Sequence, residues 1–195
     1  MVIAVSPAIE TRRFTRVEYE RLTEIGFFQP GERIELIDGL LLVREPQKSR
    51  HATAVRLVQQ ALERAFGAGW DVRPQLPVAL DDMSEPEPDA VVVPGGARDY
   101  RDAHPTSPVL VVEVAESRLA FDRRRKSSLY ARAGIPEYWV LNLVRGVLEV
   151  HREREAFGAA PYGFRYRSIK KLASTATVSP LAAPSAAIAV ADLLP

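Results

Sequence analysis

The sequence predicts an α/β sandwich with a central mixed β-sheet flanked by helices. Three observations point to it. Apolar runs of strand length recur at Ala90-Val91-Val92-Val93, Val109-Leu110-Val111-Val112 and Tyr138-Trp139-Val140-Leu141. Segments of helical periodicity, Ser49 to Phe66 and Asp122 to Ala133, are interleaved with them. Two more apolar runs flank an Asp38-Gly39 pair, a hairpin signal because such a turn needs positive φ at its centre. Strands interrupted by helices indicate helices packed on a mixed sheet.

From the N-terminus, residues 1–10 read as a tail. A short helix follows between Phe14 and Ile25, with Thr15 and Glu18 spaced for a capping box and Gly26 as its stop. The hairpin is Ile34–Ile37 and Leu40–Val43. In Ser49–Phe66 the positions Ala54, Leu57, Val58, Ala61, Leu62 and Ala65 form one apolar face. A strand is expected over Trp70–Leu80, at an edge or with a bulge, because Pro74 and Pro77 cannot donate to a ladder. Asp81–Pro88 and Pro94–Pro108 are loops. The helix over Asp122–Ala133 closes at Gly134. Val147–His151 and Phe164–Ser168 are expected as peripheral strands. The Ala/Pro-rich segment 173–195 follows, inside a single domain spanning 11–195.

Composition excludes several function classes. The 195 residues contain no cysteine, so disulfides, thiol catalysis and Cys-based zinc sites are out. The N-terminus lacks the basic and apolar regions of a signal peptide, and no apolar run is long enough to span a membrane. A cytoplasmic protein is the expectation. The net charge of +1 is low for a protein that coats nucleic acid, but leaves room for local contact with it. Gly95-Gly96 is not followed by a Lys-Ser or Lys-Thr pair, and no Gly-x-Ser-x-Gly occurs, so neither a phosphate loop nor a serine hydrolase is supported.

The chemistry-bearing residues stand at strand ends. Asp89 precedes one buried strand and Glu113 follows another. Each alone reads as a solvated strand-end carboxylate. Together on neighbouring strands they would repel each other unless paired or bound to a cation, and carboxylate oxygens suit Mg²⁺ or Mn²⁺. In the following helix Asp122, Lys126 and Tyr130 recur at spacings of four, on one face. Arg123, Arg124 and Arg125 read either as a solvated surface or as phosphate contacts. His51 reads equally as an ordinary helix-start residue, and Glu35 as a hairpin-surface carboxylate.

These pieces, in their order and spacing, resemble the Uma-type family of putative restriction endonucleases, a branch of the PD-(D/E)XK nuclease superfamily. The resemblance rests on Ile34–Gly39, Ser49-Arg50-His51, Glu87–Val93, Val111–Val114, Asp122 through Lys126 to Tyr130, and Ala133–Trp139, and covers roughly Thr11 to Leu143. It implies a restriction-endonuclease-like fold. Asp89 matches the first acidic metal ligand and Glu113 the second, with the Val114 carbonyl as a further oxygen. Lys126 matches the lysine of the branch, Glu35 another acidic position, and His51 the histidine at the helix start. The superfamily's usual lysine position, two residues after the second acid, holds Ala115 here. The branch's Ser-Pro turn after that strand is replaced by Ala115-Glu116-Ser117. The implied activity is a metal-dependent endonuclease acting on DNA with Mg²⁺ or Mn²⁺; the alternative is a catalytically degenerate nuclease fold that binds nucleic acid or a protein. A homodimer is a further expectation, drawn from Val147–Val150 as an uncovered edge strand and from apolar surface over Leu181–Leu194.

Overall fold

The computed structural model describes residues 11–44 and 46–195, so the expected tail at 1–10 lies outside the described residues. Helix α1 (Arg16–Glu24) starts at Thr15, whose side chain accepts from the Glu18 N–H while the Glu18 carboxylate accepts from the Thr15 N–H. The Thr-x-x-Glu spacing anticipates this reciprocal cap. Tyr19 on α1 packs on Ile34 and Leu36 of the hairpin formed by β1 (Ile34–Ile37) and β2 (Leu40–Val43). Asp38 and Gly39 hold φ of +50° and +78°, the turn that pair favours. A side chain at Gly39 would also lie 2.5 Å from Arg13 Cβ, so glycine is required sterically.

Helix α2 (Ser49–Phe66) has the predicted bounds. Strands β3 (Trp70–Arg73), β4 (Ala90–Pro94) and β5 (Leu110–Ala115) follow. A continuous helical run comes next: α3 (Leu119–Phe121), a π-helical segment (Asp122–Lys126) and α4 (Ser127–Arg132). It ends as Gly134 predicts: at φ +84° the Gly134 N–H donates to Ala131 O and the Ile135 N–H to Tyr130 O, pairing two of the last carbonyls. Then come β6 (Glu137–Asn142), β7 (Val147–Ala156), β8 (Phe164–Ala173), β9 (Thr177–Val178) and β10 (Ile188–Ala189).

Six strands form the central sheet in the order β3-β4-β5-β6-β7-β8. Only β5 and β6 are parallel, and the helical run α3–α4 makes that crossover. Alternation along the strands divides the core. Val92, Val112, Trp139 and Leu141 face α2 and the C-terminal segment, whereas Val91, Val93, Val111, Tyr138 and Val140 face α4. The sandwich of helices on a mixed sheet is therefore the architecture the sequence predicts.

Several expectations need correction. The strand expected over Trp70–Leu80 stops at Arg73, because Pro74 follows and Gln75 turns the chain with φ +53°; its edge position is as expected. The helix expected from Asp122 begins at Leu119 and widens to a π-helix. The strand expected to end in Glu113-Val114 runs one residue further, to Ala115, which keeps Glu113 inside β5. Val147–Val150 is not an edge: β7 lies between β6 and β8, and β8 forms the sheet's end. The C-terminal segment is not a bare apolar surface, since Val190 and Leu193 are fully buried in the core with α2. Both features on which the homodimer expectation leaned are thus covered within one chain. No described helix is long and apolar enough to cross a membrane.

Candidate active site

β4 and β5 are antiparallel, with Ala90 opposite Val112 and Val91 opposite Val111. Continuing that register by one residue sets Asp89 opposite Glu113. Both belong to the α4 side of the sheet by alternation with Val91 and Val111. Directly opposed residues on one face bring their Cβ atoms to roughly 5 Å. The strand apolarity that makes β4 and β5 fold in the sheet interior thus also carries two carboxylates into a buried corner, each at most 3% exposed.

Asp89 is gripped on both oxygens. Oδ2 accepts from the Val114 N–H at 2.8 Å and lies 3.2 Å from His51 Nε2. Oδ1 accepts from Arg44 Nη2 at 3.3 Å and Gln75 Nε2 at 3.2 Å. Burial alone would raise the Asp89 pKa. The His51 hydrogen bond and charge, the Arg44 guanidinium and the Val114 N–H outweigh burial and hold the carboxyl below its usual range. The same contact runs in reverse for His51: burial opposes its charge, but Asp89 wins and raises the imidazole above its ordinary value. His51 Nδ1 is buried without a hydrogen-bond partner among the described residues.

Glu113 Oε1 accepts from Lys126 Nζ at 2.9 Å and from the Tyr130 hydroxyl at 2.7 Å. The Lys126 ammonium also donates to Glu35 Oε2 at 3.3 Å. Glu35 comes from β1, which docks on the loop before β4 through the Leu36–Glu85 bridge, and Glu35 Oε2 accepts the Glu87 N–H at 3.2 Å. Burial works against the Lys126 charge, yet Glu113, Glu35 and Asp122 outweigh it and hold its pKa above the lysine norm. Burial, reinforced by Asp89 and Glu35 against the opposing Lys126, raises the pKa of Glu113. Burial and the nearby Glu113 push Asp122 to about 8 despite Lys126.

Asp89, Glu113, Lys126 and Val114 line one cavity of about 140 Å³. Its buried carboxylates Glu35, Asp89, Glu113 and Asp122 face the fixed cations Arg44 and Lys126, with His51 beside them. The raised Glu113 and Asp122 values come first from burial and then from the neighbouring acids. Carboxylate oxygens are the donors that suit a hard divalent cation. Among the described residues no group of three or more His, Asp or Glu side chains is already spaced around an ion position, and the Lys126 ammonium itself bridges two of the acids.

Asp122, Lys126 and Tyr130, expected on one face, all turn inward. Val114 contributes its N–H to Asp89. Arg123 donates to Glu149 through Nε at 2.8 Å and also through Nη2. Arg124 and Arg125 are exposed. Sequence reasoning missed Arg44, Gln75 and Glu149. Arg44 directly follows β2, and nothing in its local sequence separates it from the many surface arginines. Gln75 reaches Asp89 only because the chain turns after β3. Glu149 alternates with buried Leu148 and Val150, a pattern that reads as a solvent-facing position until helix and sheet are packed together.

Comparison with known proteins bears on the family and the fold. The family model described as Uma2, putative restriction endonuclease, matches residues 16–191. A crystal structure of a putative nuclease belonging to DUF820 from Anabaena variabilis ATCC 29413 superposes with a TM-score of 0.70 at 14% identity, covering 92% of this chain and 97% of that one. At that identity the likeness is one of fold. No curated protein matches the sequence. The chain belongs to the Uma2 family of putative restriction endonucleases.

Proposed function

We propose that this chain is an endonuclease that hydrolyses phosphodiester bonds in DNA with the help of Mg²⁺ or Mn²⁺, acting in the cytoplasm as one domain over residues 11–195. The observation that carries the reading is the buried juxtaposition of Asp89, Glu113 and Lys126, with Lys126 Nζ 2.9 Å from Glu113 Oε1. Burying several acids and an ammonium in one corner costs stability, and functional sites are where such a cost is retained. Asp89 and Glu113 would hold the ion, with Glu35 and the Val114 carbonyl as further oxygens. When bound, the ion lowers the pKa of a water and offsets charge on the phosphodiester.

The remaining roles belong to the chain's own groups. Arg44, Gln75 and His51 hold the Asp89 carboxylate in place beside the cavity. Tyr130 fixes Glu113 through its hydroxyl. Lys126, protonated and aimed into the cavity, stabilises negative charge developing on a phosphate oxygen. Each chain holds the full set, so the reading needs no second copy. The alternative, a degenerate binding module, draws on Ala115, which stands where the superfamily usually has its lysine. Lys126 supplies an ammonium from the helix instead.

Calorimetric titration with Mn²⁺ tests the reading. The wild type should bind the ion, and Asp89→Asn and Glu113→Gln should each weaken binding at least tenfold while remaining folded. Ion binding that is equal in all three proteins would remove the site.

A further inference from the structure

A second concavity, of about 380 Å³, lies between the π-helical segment and the β7–β8 hairpin. It is separate from the carboxylate cavity, but the two share one helical segment: Asp122 and Lys126 line the first, Arg123 and Arg124 the second. Arg165, Arg167 and Phe157 line its hairpin side.

Charge is concentrated here. The groove is lined by Arg123, Arg124, Arg165 and Arg167 and by no carboxylate among the described residues. A chain of net charge +1 thus still presents a local basic groove beside the candidate site. Its hairpin arginines are lightly held. Arg165 Nε donates to Glu155 Oε1 at 2.7 Å and Arg167 Nη2 to Glu153 Oε2 at 2.7 Å, both between exposed side chains. Such pairs contribute little in water and exchange readily for a phosphate, which a guanidinium binds with two parallel hydrogen bonds. Arg124 is exposed and has no side-chain partner among the described residues. The Arg165 guanidinium lies 3.7 Å from the Phe157 ring centroid, a flat cationic and aromatic platform of the kind on which bases stack.

We infer that this groove is a track for a single nucleic-acid strand, whose phosphates Arg124, Arg165 and Arg167 bind while a base stacks beside Phe157. A single strand is favoured because the volume suits a small-ligand cleft, roughly 300–1,000 Å³, and is too confined for a duplex. The inference rests on the nuclease reading, since the strand would cross the π-helical segment towards the carboxylate cavity.

The test is fluorescence anisotropy with a labelled single-stranded oligonucleotide in EDTA, beside a duplex of equal length, each over a salt series. Mn²⁺-dependent cleavage is measured separately. The wild type should prefer the single strand. The double variant Arg165→Ala/Arg167→Ala should bind at least tenfold more weakly, with a salt slope flatter by about 0.7 for each lost contact. Glu153→Gln/Glu155→Gln frees both arginines and should bind more tightly, and it carries the test if the double arginine variant does not fold. Wild-type affinity in both double variants, or a preference for duplex insensitive to them, overturns the track. Arginine-dependent binding without any cleavage supports the track and contradicts hydrolysis. Cleavage with arginine-independent binding overturns the track and leaves the nuclease reading standing.

Discussion

Lys126 Nζ lies 2.9 Å from Glu113 Oε1 across 13 residues of chain, and the contact is buried on both sides. It joins the π-helical segment to the interior of β5. Lys126 therefore delivers from a helix the positive charge that could otherwise come from the strand position held by Ala115. Replacing Lys126 should affect chemistry more than affinity. Lys126→Ala is expected to slow cleavage about 100- to 1,000-fold, the scale for loss of one preorganised charge-stabilising donor, with DNA binding changed less than threefold. Single-turnover rates beside anisotropy titrations check this. Wild-type cleavage by the variant would contradict the assignment. Because Lys126→Ala leaves buried acids without a counter-charge, Lys126→Arg serves as the control for folding.

The two adjacent arginines should behave differently. Arg123 holds Glu149, which is 1% exposed and which, against the effect of burial, His151 at 3.9 Å and the Arg123 hydrogen bonds bring down to about pKa 2. Arg123→Ala leaves a buried acceptor unsatisfied and should cost about 1–3 kcal/mol. Arg124→Ala, at an exposed position, should stay within about 0.5 kcal/mol. Urea denaturation of both variants measures the difference. Equal stabilities would mean that the Arg123–Glu149 pair does not hold the helix to β7.

Away from the site, Glu85 is buried with Oε2 unpaired among the described residues, 3.8 Å from Arg16 at closest and beside Glu20. Burial first, then Glu20, raises its pKa to about 7 from 4.5. The folded state therefore holds the proton more tightly than the unfolded chain. The stability from this group is present below about pH 4.5 and is lost as pH rises through about 7. Glu85→Gln should flatten the fall in urea midpoint between these pH values and stabilise the protein at pH above 7. A variant with the wild-type pH profile would assign the slope to other groups.

Local structure was the most legible part of the sequence. Thr15 and Glu18, Asp38-Gly39, the apolar face of α2 and Gly134 each specify their own geometry within a few residues. Asp89 and Glu113 stood out because each adjoins a run of valines that has to be buried. The strand order was less legible, because register between distant segments depends on packing and not on neighbours in sequence. For that reason β7 read as an edge. The π-helical segment was illegible as well. Nothing in Asp122–Lys126 marks a widened turn, which forms where Lys126 seats on Glu113 and Arg123 on Glu149, contacts from strands on either side of β6. Arg44 and Gln75 reach Asp89 through the ends of β2 and β3, and only the assembled fold brings them there.

Tyr130 provides a graded test of the Glu113 environment. Its hydroxyl donates to Oε1 at 2.7 Å from a fully buried position. Tyr130→Phe keeps the ring packing and removes one hydrogen bond to a carboxylate. The expected cost is about 1–3 kcal/mol in stability, with weaker Mn²⁺ binding and slower cleavage than wild type but more of both than in Glu113→Gln. Full activity in Tyr130→Phe would show that Glu113 needs no positioning.

The most direct test of the account is cleavage of DNA by purified wild type and Asp89→Asn, each with Mn²⁺ and with EDTA, after both are shown to melt cooperatively. Wild type should cut only with the metal, and Asp89→Asn should fail to cut although it is folded. Equal metal-dependent cutting by the two proteins would contradict the assignment of Asp89, Glu113 and Lys126 as the catalytic centre.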